Sequence, residues 1–291
     1  MELSYGLALS GGALRGAAHI GLLEVFLENK LVPRMLAGSS AGSIVGCLYA
    51  AGMKPQTMRS LVNQMQRLLP KNGRELIGSH LLIPSTQLPD WLPQGLLSSR
   101  FIEIVMNKLL GKKSFEQLSK PMAVTATDLQ TGELVIFTAE ELIPKKPWPQ
   151  NIHFLPGVSI AEAVRASCAI PGIFTPKTIG RRTLADGGIV DNLPADVLRL
   201  IGASKIVAVD LGFAVQQDEP LKHILDILLQ TYDIMGQRIS SLVAEKDAQL
   251  VIRPQTGGAG LLDFAKIPAF VESGRVAGRE NLASVKQLLS R

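Results

Sequence analysis

Apolar runs alternate with amphipathic stretches along this chain. Tyr5-Gly6-Leu7-Ala8-Leu9 is continuously apolar, as a strand covered on both faces must be, and Ile20, Leu23 and Leu27 then recur on one face of a helix over about residues 17–29. A short strand at 34–37 is followed by a helical stretch at 43–51 that closes at Gly52, and a third helix begins near Gln56. The pattern then predicts a helix at 98–110 and a strand pair at 122–127 and 133–138, joined through Gln130-Thr131-Gly132. A short helix at 160–167, a strand at 182–184, a helix from Pro194 and a strong strand at 206–211 follow. The last third reads as a long helix over about 220–245, a strand at 249–252, a glycine-rich turn at 257–260 and closing helices. Strands alternating with helices predict an α/β fold, with a mainly parallel central sheet and helices on both faces.

Two stretches break the pattern. Residues 70–97 place Pro70, Pro84, Pro89 and Pro93 among Leu81, Leu82, Ile83, Leu88, Trp91 and Leu92, and no regular element fits them. Residues 143–157, with Pro144, Pro147, Pro149 and Pro156, read as a surface excursion. Both are lid-like segments within one domain spanning 1–291, since neither an internal repeat nor a linker interrupts the chain.

Composition narrows the function classes. The 291 residues are 46% hydrophobic and 5% aromatic, enough for a large and mostly aliphatic core. No run approaches the roughly 18 uninterrupted apolar residues of a membrane span. The apolar N-terminus lacks a basic leader and is cut by Arg15, so it reads as a first strand and helix, not a signal peptide. Cys47 and Cys168 make neither a disulfide framework nor a zinc cluster, and read as reduced thiols of a cytoplasmic protein. A net charge of +5 without a dense Lys/Arg run suits an anionic surface, including peripheral contact with a membrane, and argues against nucleic acid.

The candidate chemistry starts at Gly38-Ser39-Ser40-Ala41-Gly42. This is a G-x-S-x-G pattern between a short strand and a helix, the setting in which a serine hydroxyl is presented on a sharp turn. The flanking glycines are needed because a side chain there would collide with a neighbouring strand or helix. A serine nucleophile needs a base and needs donors for the oxyanion. The turn Gly11-Gly12-Ala13-Leu14-Arg15-Gly16 offers backbone N–H groups, and in a parallel sheet it shares with the elbow the carboxyl ends of adjacent strands. Its spacing matches neither G-x-G-x-x-G nor a P-loop. Histidine is the usual base, but His19 lies inside the first helix, His80 and His153 in the irregular excursions and His223 near a helix start. Asp186, between a strand and Gly187-Gly188, is the better candidate.

These blocks together resemble the patatin-like phospholipase family. The resemblance covers residues 5–212 in four ordered blocks: Gly11–Gly16, Gly38–Gly42, Ala166-Ser167-Cys168-Ala169-Ile170-Pro171-Gly172-Ile173-Phe174, and Asp186-Gly187-Gly188. It implies a serine acyl hydrolase with a Ser40–Asp186 dyad, no catalytic histidine and an oxyanion hole at Gly11, Gly12 and Ala13. Arg15 and Gly16 match the family's loop, where Arg15 either supports the loop or contacts a lipid phosphate. Ser10 stands where many members have a third glycine. The third block reads as helix packing and a turn, and Asp128 as a turn-forming aspartate. No metal and no cofactor is implied. The substrate is a lipid acyl ester; phospholipid, lysophospholipid, neutral glyceride, acyl thioester and transfer to an alcohol all stay open, as does the oligomeric state.

Two other readings compete. An ordinary α/β-hydrolase orders its triad Ser, acid, His, and only His223 follows Asp186. A lipid-binding or regulatory module of slow turnover would keep the fold, although intact Ser40 and Asp186 argue for catalysis.

Overall fold

The computed structural model describes residues 4–68, 97–212, 224–257 and 264–290. Of the 70–97 segment only Leu97 lies within them, and His80, His223 and most of the 257–260 turn lie outside. The strands are β1 (Gly6–Leu9), β2 (Met35–Ser39), β3 (Met122–Asp128), β4 (Leu134–Phe137), β5 (Ile152–Phe154), β6 (Lys177–Ile179), β7 (Arg182–Asp186), β8 (Ile206–Val209) and β9 (Leu250–Ile252). The α-helices are α1 (Ala17–Glu28), α2 (Ala41–Ala50), α3 (Pro55–Leu68), α4 (Arg100–Leu110), α5 (Ile160–Ser167), α6 (Ala195–Leu200), α7 (Ile224–Asp247), α8 (Ile267–Glu280) and α9 (Leu282–Ser290).

The strands form one sheet in the order β5-β4-β3-β2-β1-β8-β9, with β7 also paired to β3 and β6 to β7. The β1–β2, β1–β8, β2–β3, β4–β5 and β8–β9 pairs are parallel, so the sheet is mainly parallel as the alternation of elements predicts. Register brings the strand ends together: Leu9 lies beside Gly38, Ser39 beside Thr125, and Ala126 beside Asp186.

Helices pack on both faces, and residue size differs between them. On one face Leu7, Leu9, Leu36 and Val124 meet Ile20, Leu23 and Phe26 of α1, Val45 and Leu48 of α2, and Ile160 and Val164 of α5. On the other, Ala8, Ala37, Ala123 and Ala208 meet Leu193, Val197 and Leu198 at α6 and Ala244 of α7. The period-two alternation of large and small side chains gives one face a thick aliphatic layer and lets α6 approach the other closely. On the outside of the first layer α8 crosses α1 in backbone contact: a Cβ on Gly21 would overlap the Val271 carbonyl, and one on Gly274 the Ala18 carbonyl. Glu24 of α1, fully buried, pairs there with Arg275 of α8 and Arg59 of α3.

Two differences from the sequence reading have local causes. The 143–157 excursion contains β5, which runs parallel to β4 and carries Phe154 under Trp148, their ring centroids 5.2 Å apart. A second short strand, β6, forms a hairpin with β7 through Gly180, whose φ is 61°. Both strands are three residues long, too short for alternation to be read. The long late helix is seen from Ile224 to Asp247, and its expected first turn at 220–223 lies outside the described residues. No helix among the described residues is long and apolar enough to cross a membrane.

Candidate active site

Ser40 sits between β2 and α2 with φ 47° and ψ −121°. A non-glycine residue there stores about 1–3 kcal/mol of strain and persists only when its surroundings enforce it. Here they do. The Ser40 N–H donates to Ser167 Oγ at 2.8 Å, and its carbonyl accepts from Ser43 N at 2.9 Å and Ser43 Oγ at 2.6 Å. A Cβ on Gly38 would lie 2.5 Å from the carbonyl oxygen of Gly42, and one on Gly42 would overlap the carbonyl of Leu9. The two glycines of the pattern therefore allow α2 to turn back directly over β2 and β1.

Asp186 arrives at the same place from the end of β7. Its N–H donates to the Ala169 carbonyl at 3.0 Å, and its own carbonyl accepts from Thr127 Oγ1 at 2.9 Å. On the side chain, Oδ1 accepts from Gly188 N at 2.8 Å and from the Tyr232 hydroxyl at 2.9 Å. Oδ2 is buried without a hydrogen bond of regular geometry, while the Ser40 hydroxyl lies close enough to favour the charged carboxylate. Burial dominates and pushes the Asp186 pKa up from 3.8 to about 6, against the opposing pull of Ser40, Gly188 and Tyr232.

The glycine-rich turn closes the third side. Gly12, Ala13, Ser40, Ile170, Asp186, Asn192, Tyr232, Asp233 and Gly236 line a small shared pocket. Gly11 departs from the expectation that it offers an oxyanion donor, because its N–H is bonded to the Asn192 carbonyl at 3.0 Å. Gly12 and Ala13, with φ of 155° and 47°, are the loop residues that face the pocket. Gly16 packs the loop on α2, since a Cβ there would overlap that of Ala41. Ser10 ties the loop down: its Oγ donates to Gly11 O and accepts from Leu211 N, both at 3.0 Å.

Of the two roles left open for Arg15, the geometry favours loop support. Its side chain is fully buried and donates to Asp233 at 2.6 Å, to Gly212 O at 3.0 Å and to Gly12 O at 3.3 Å, so no lipid phosphate reaches it in this conformation. His19 is also buried, with Nε2 2.8 Å from the Ser10 carbonyl, and burial lowers its pKa to about 4. Among the described residues, no histidine lines the pocket. Asp128 ends β3 at the β3–β4 turn, accepting from Gln130 N at 2.9 Å and pairing with Arg182 at 2.6 Å. Both cysteines are free and buried. No group of three or more His, Cys, Asp or Glu among the described residues could hold a metal ion.

Sequence reasoning missed several contributors. Ser167 and Ile170 lie in a run read only as packing, yet one fixes the elbow backbone and the other lines the pocket. Tyr232 comes from α7, and nothing in the sequence around it signals contact with a carboxylate 46 residues earlier.

An α/β sheet whose elbow serine and strand-end aspartate meet at a glycine-rich turn is thus the class of structure present. The chain belongs to the patatin-like phospholipase family, whose profile matches residues 7–199. An NTE family protein of Mycobacterium tuberculosis is 25% identical over 98% of this chain and 48% of its own length. The neuropathy target esterase sws of Drosophila melanogaster is 29% identical over 72% of this chain and 13% of its own. This chain spans about half the length, 48%, of the mycobacterial relatives it matches. The crystal structure of VipD from Legionella pneumophila shares the fold, with a TM-score of 0.51 at 17% identity over 98% of this chain and 66% of that one.

Proposed function

We propose that the chain hydrolyses lipid acyl esters through a Ser40–Asp186 dyad and a covalent acyl-enzyme. The observation that carries this reading is the strained, buried Ser40 whose hydroxyl faces the Asp186 carboxylate in a pocket walled by Gly12 and Ala13. Ser40 Oγ attacks the acyl carbonyl as Asp186 takes its proton, and the oxyanion is received by the amides of Gly12 and Ala13. Collapse expels the alcohol, which leaves with the proton from Asp186. Water then attacks the acyl-serine, gives a proton to Asp186 and releases the carboxylic acid, and that proton returns to Ser40. A carboxylate with a pKa of about 6 suits both halves, being ionised at neutral pH yet more basic than an ordinary aspartate. The family's name and the sws esterase support lipid esters as the substrate class, and the +5 charge supports work at an anionic lipid surface.

The test is hydrolysis of acyl esters, from short-chain nitrophenyl esters to phospholipid vesicles, by wild type, Ser40→Ala and Asp186→Asn. Turnover lost in both variants supports the dyad, and the preferred ester names the substrate. Turnover surviving in Ser40→Ala rules the mechanism out, and a folded wild type inactive on every ester favours the lipid-binding alternative.

A further inference from the structure

A Ser–Asp dyad lacks the third group that orients the base in a Ser–His–Asp triad. In this chain such a group is present, supplied by α7, beyond the 7–199 segment that the family profile covers. The following inference rests on the dyad reading above. We infer that Tyr232 is the positioning residue of this site: its hydroxyl, together with the Gly188 amide, holds Asp186 by Oδ1 and so leaves Oδ2 to serve Ser40.

Four observations carry it. Two donors at 2.8 and 2.9 Å converge on one carboxylate oxygen, which fixes the rotation of the carboxylate, while the buried Oδ2 has neither. The turn is shaped for the phenol, since a Cβ on Gly188 would lie 2.5 Å from the Tyr232 hydroxyl, so the second glycine of Asp186-Gly187-Gly188 makes room for it. The next residue of α7, Asp233, receives the buried Arg15, so the glycine-rich turn grips the helix that carries the tyrosine. Tyr232, Asp233 and Gly236 all line the pocket with Ser40 and Asp186. A buried tyrosine needs some acceptor in any case, and the acid limb of the pH profile separates that structural role from a positioning one.

Burial and the neighbouring Asp186 hold the phenol pKa well above its ordinary value, so Tyr232 stays a donor wherever the base titrates. The groups that face this pair are the Ser40 hydroxyl from the elbow, the Gly188 amide from the turn, the Cys168 thiol after α5 and Asp233 on α7. A donor to a carboxylate favours its charged form. Losing the phenol hydroxyl therefore raises the Asp186 pKa.

The experiment is kcat and KM against pH on a soluble short-chain nitrophenyl ester. It compares wild type, Tyr232→Phe and a protein carrying fluorotyrosine at 232, which keeps the shape and strengthens the donor. Tyr232→Phe is expected to move the acid limb up by about one pH unit and to lower kcat about tenfold with KM little changed. Fluorotyrosine is expected to move the limb down, and it keeps the test open should Tyr232→Phe not fold. An acid limb unmoved by either change, with Ser40→Ala and Asp186→Asn inactive, overturns the inference and leaves the dyad standing. Turnover that persists in Ser40→Ala overturns the dyad and this inference with it.

Discussion

Arg15 reaches Asp233 at 2.6 Å across 218 residues of chain, and its guanidinium has no exposure to solvent. It also donates to the carbonyls of Gly12 and Gly212, so one planar group joins the glycine-rich turn, the exit of β8 and the helix α7. Removing one partner of a fully buried pair costs about 3–5 kcal/mol, an upper bound here because the Asp233 side chain is 14% exposed. Arg15→Met is expected to lose up to about that much in urea unfolding at pH 7. Arg15→Lys is expected to recover less than half, because an ammonium cannot serve three acceptors laid out for a guanidinium fork. Equal stability of wild type and Arg15→Met would show that the pair contributes nothing net.

Gly42 is the elbow glycine with the least room. A methyl group there meets the backbone carbonyl of Leu9, and neither β1 nor α2 can move without disturbing Ser40. Gly42→Ala is expected to destabilise the chain by about 3 kcal/mol, the upper range for overpacking. Ester hydrolysis should fall at least about 100-fold, because a displacement of an ångström at the nucleophile has that effect. Thermal unfolding and turnover of the same preparation read both. An active and stable Gly42→Ala would mean that the elbow tolerates a wider turn than the one seen.

The elbow was readable from sequence because its two glycines answer local clashes, with a strand before it and a helix directly after. The mainly parallel sheet was implied by the alternation of strands and helices, and the strand–helix boundaries at Met122, Leu110 and Ser167 fall where the apolar pattern places them. What stayed hidden is tertiary. The direction of the Gly11 amide is set by the Asn192 carbonyl, far away in sequence, so a glycine read as a donor proves to be bonded already. Tyr232 lies in an ordinary helical stretch, and only the packing of α7 carries it to Asp186. Strands β5 and β6 owe their existence to edges offered by β4 and β7, not to any preference of their own three residues.

Ser10 has a side chain that makes two hydrogen bonds, one to Leu211 N and one to Gly11 O. Ser10→Gly strands the buried Leu211 amide and frees the turn backbone. The expected loss is about 1–3 kcal/mol of stability, read as a lower urea midpoint. Turnover should fall by no more than about tenfold, since Gly12 and Ala13 still face the pocket. A larger loss of turnover than of stability would place Ser10 in the chemistry, beyond holding the loop.

Asp186 is the point at which function opposes stability. Its pKa is 3.8 in the unfolded chain and about 6 in the fold, and burial is the main cause. The folded state therefore binds the proton more tightly. The stability this group provides is complete below pH 3.8 and is lost as pH rises through 6. A shift of this size corresponds to about 2–3 kcal/mol of lost stability at neutral pH, as an order of magnitude. Asp186→Asn keeps the shape, and its amide can still accept from Tyr232 and Gly188, but it carries no charge to bury. The variant is expected to be inactive at every pH and yet more stable than wild type at pH 8, with the advantage vanishing by pH 4. Denaturant unfolding of both proteins across that range measures the difference, in which other titrating groups cancel. A constant difference across the range would mean that Asp186 keeps an ordinary pKa, and the acid limb of turnover should then fall near pH 4 instead of near pH 6.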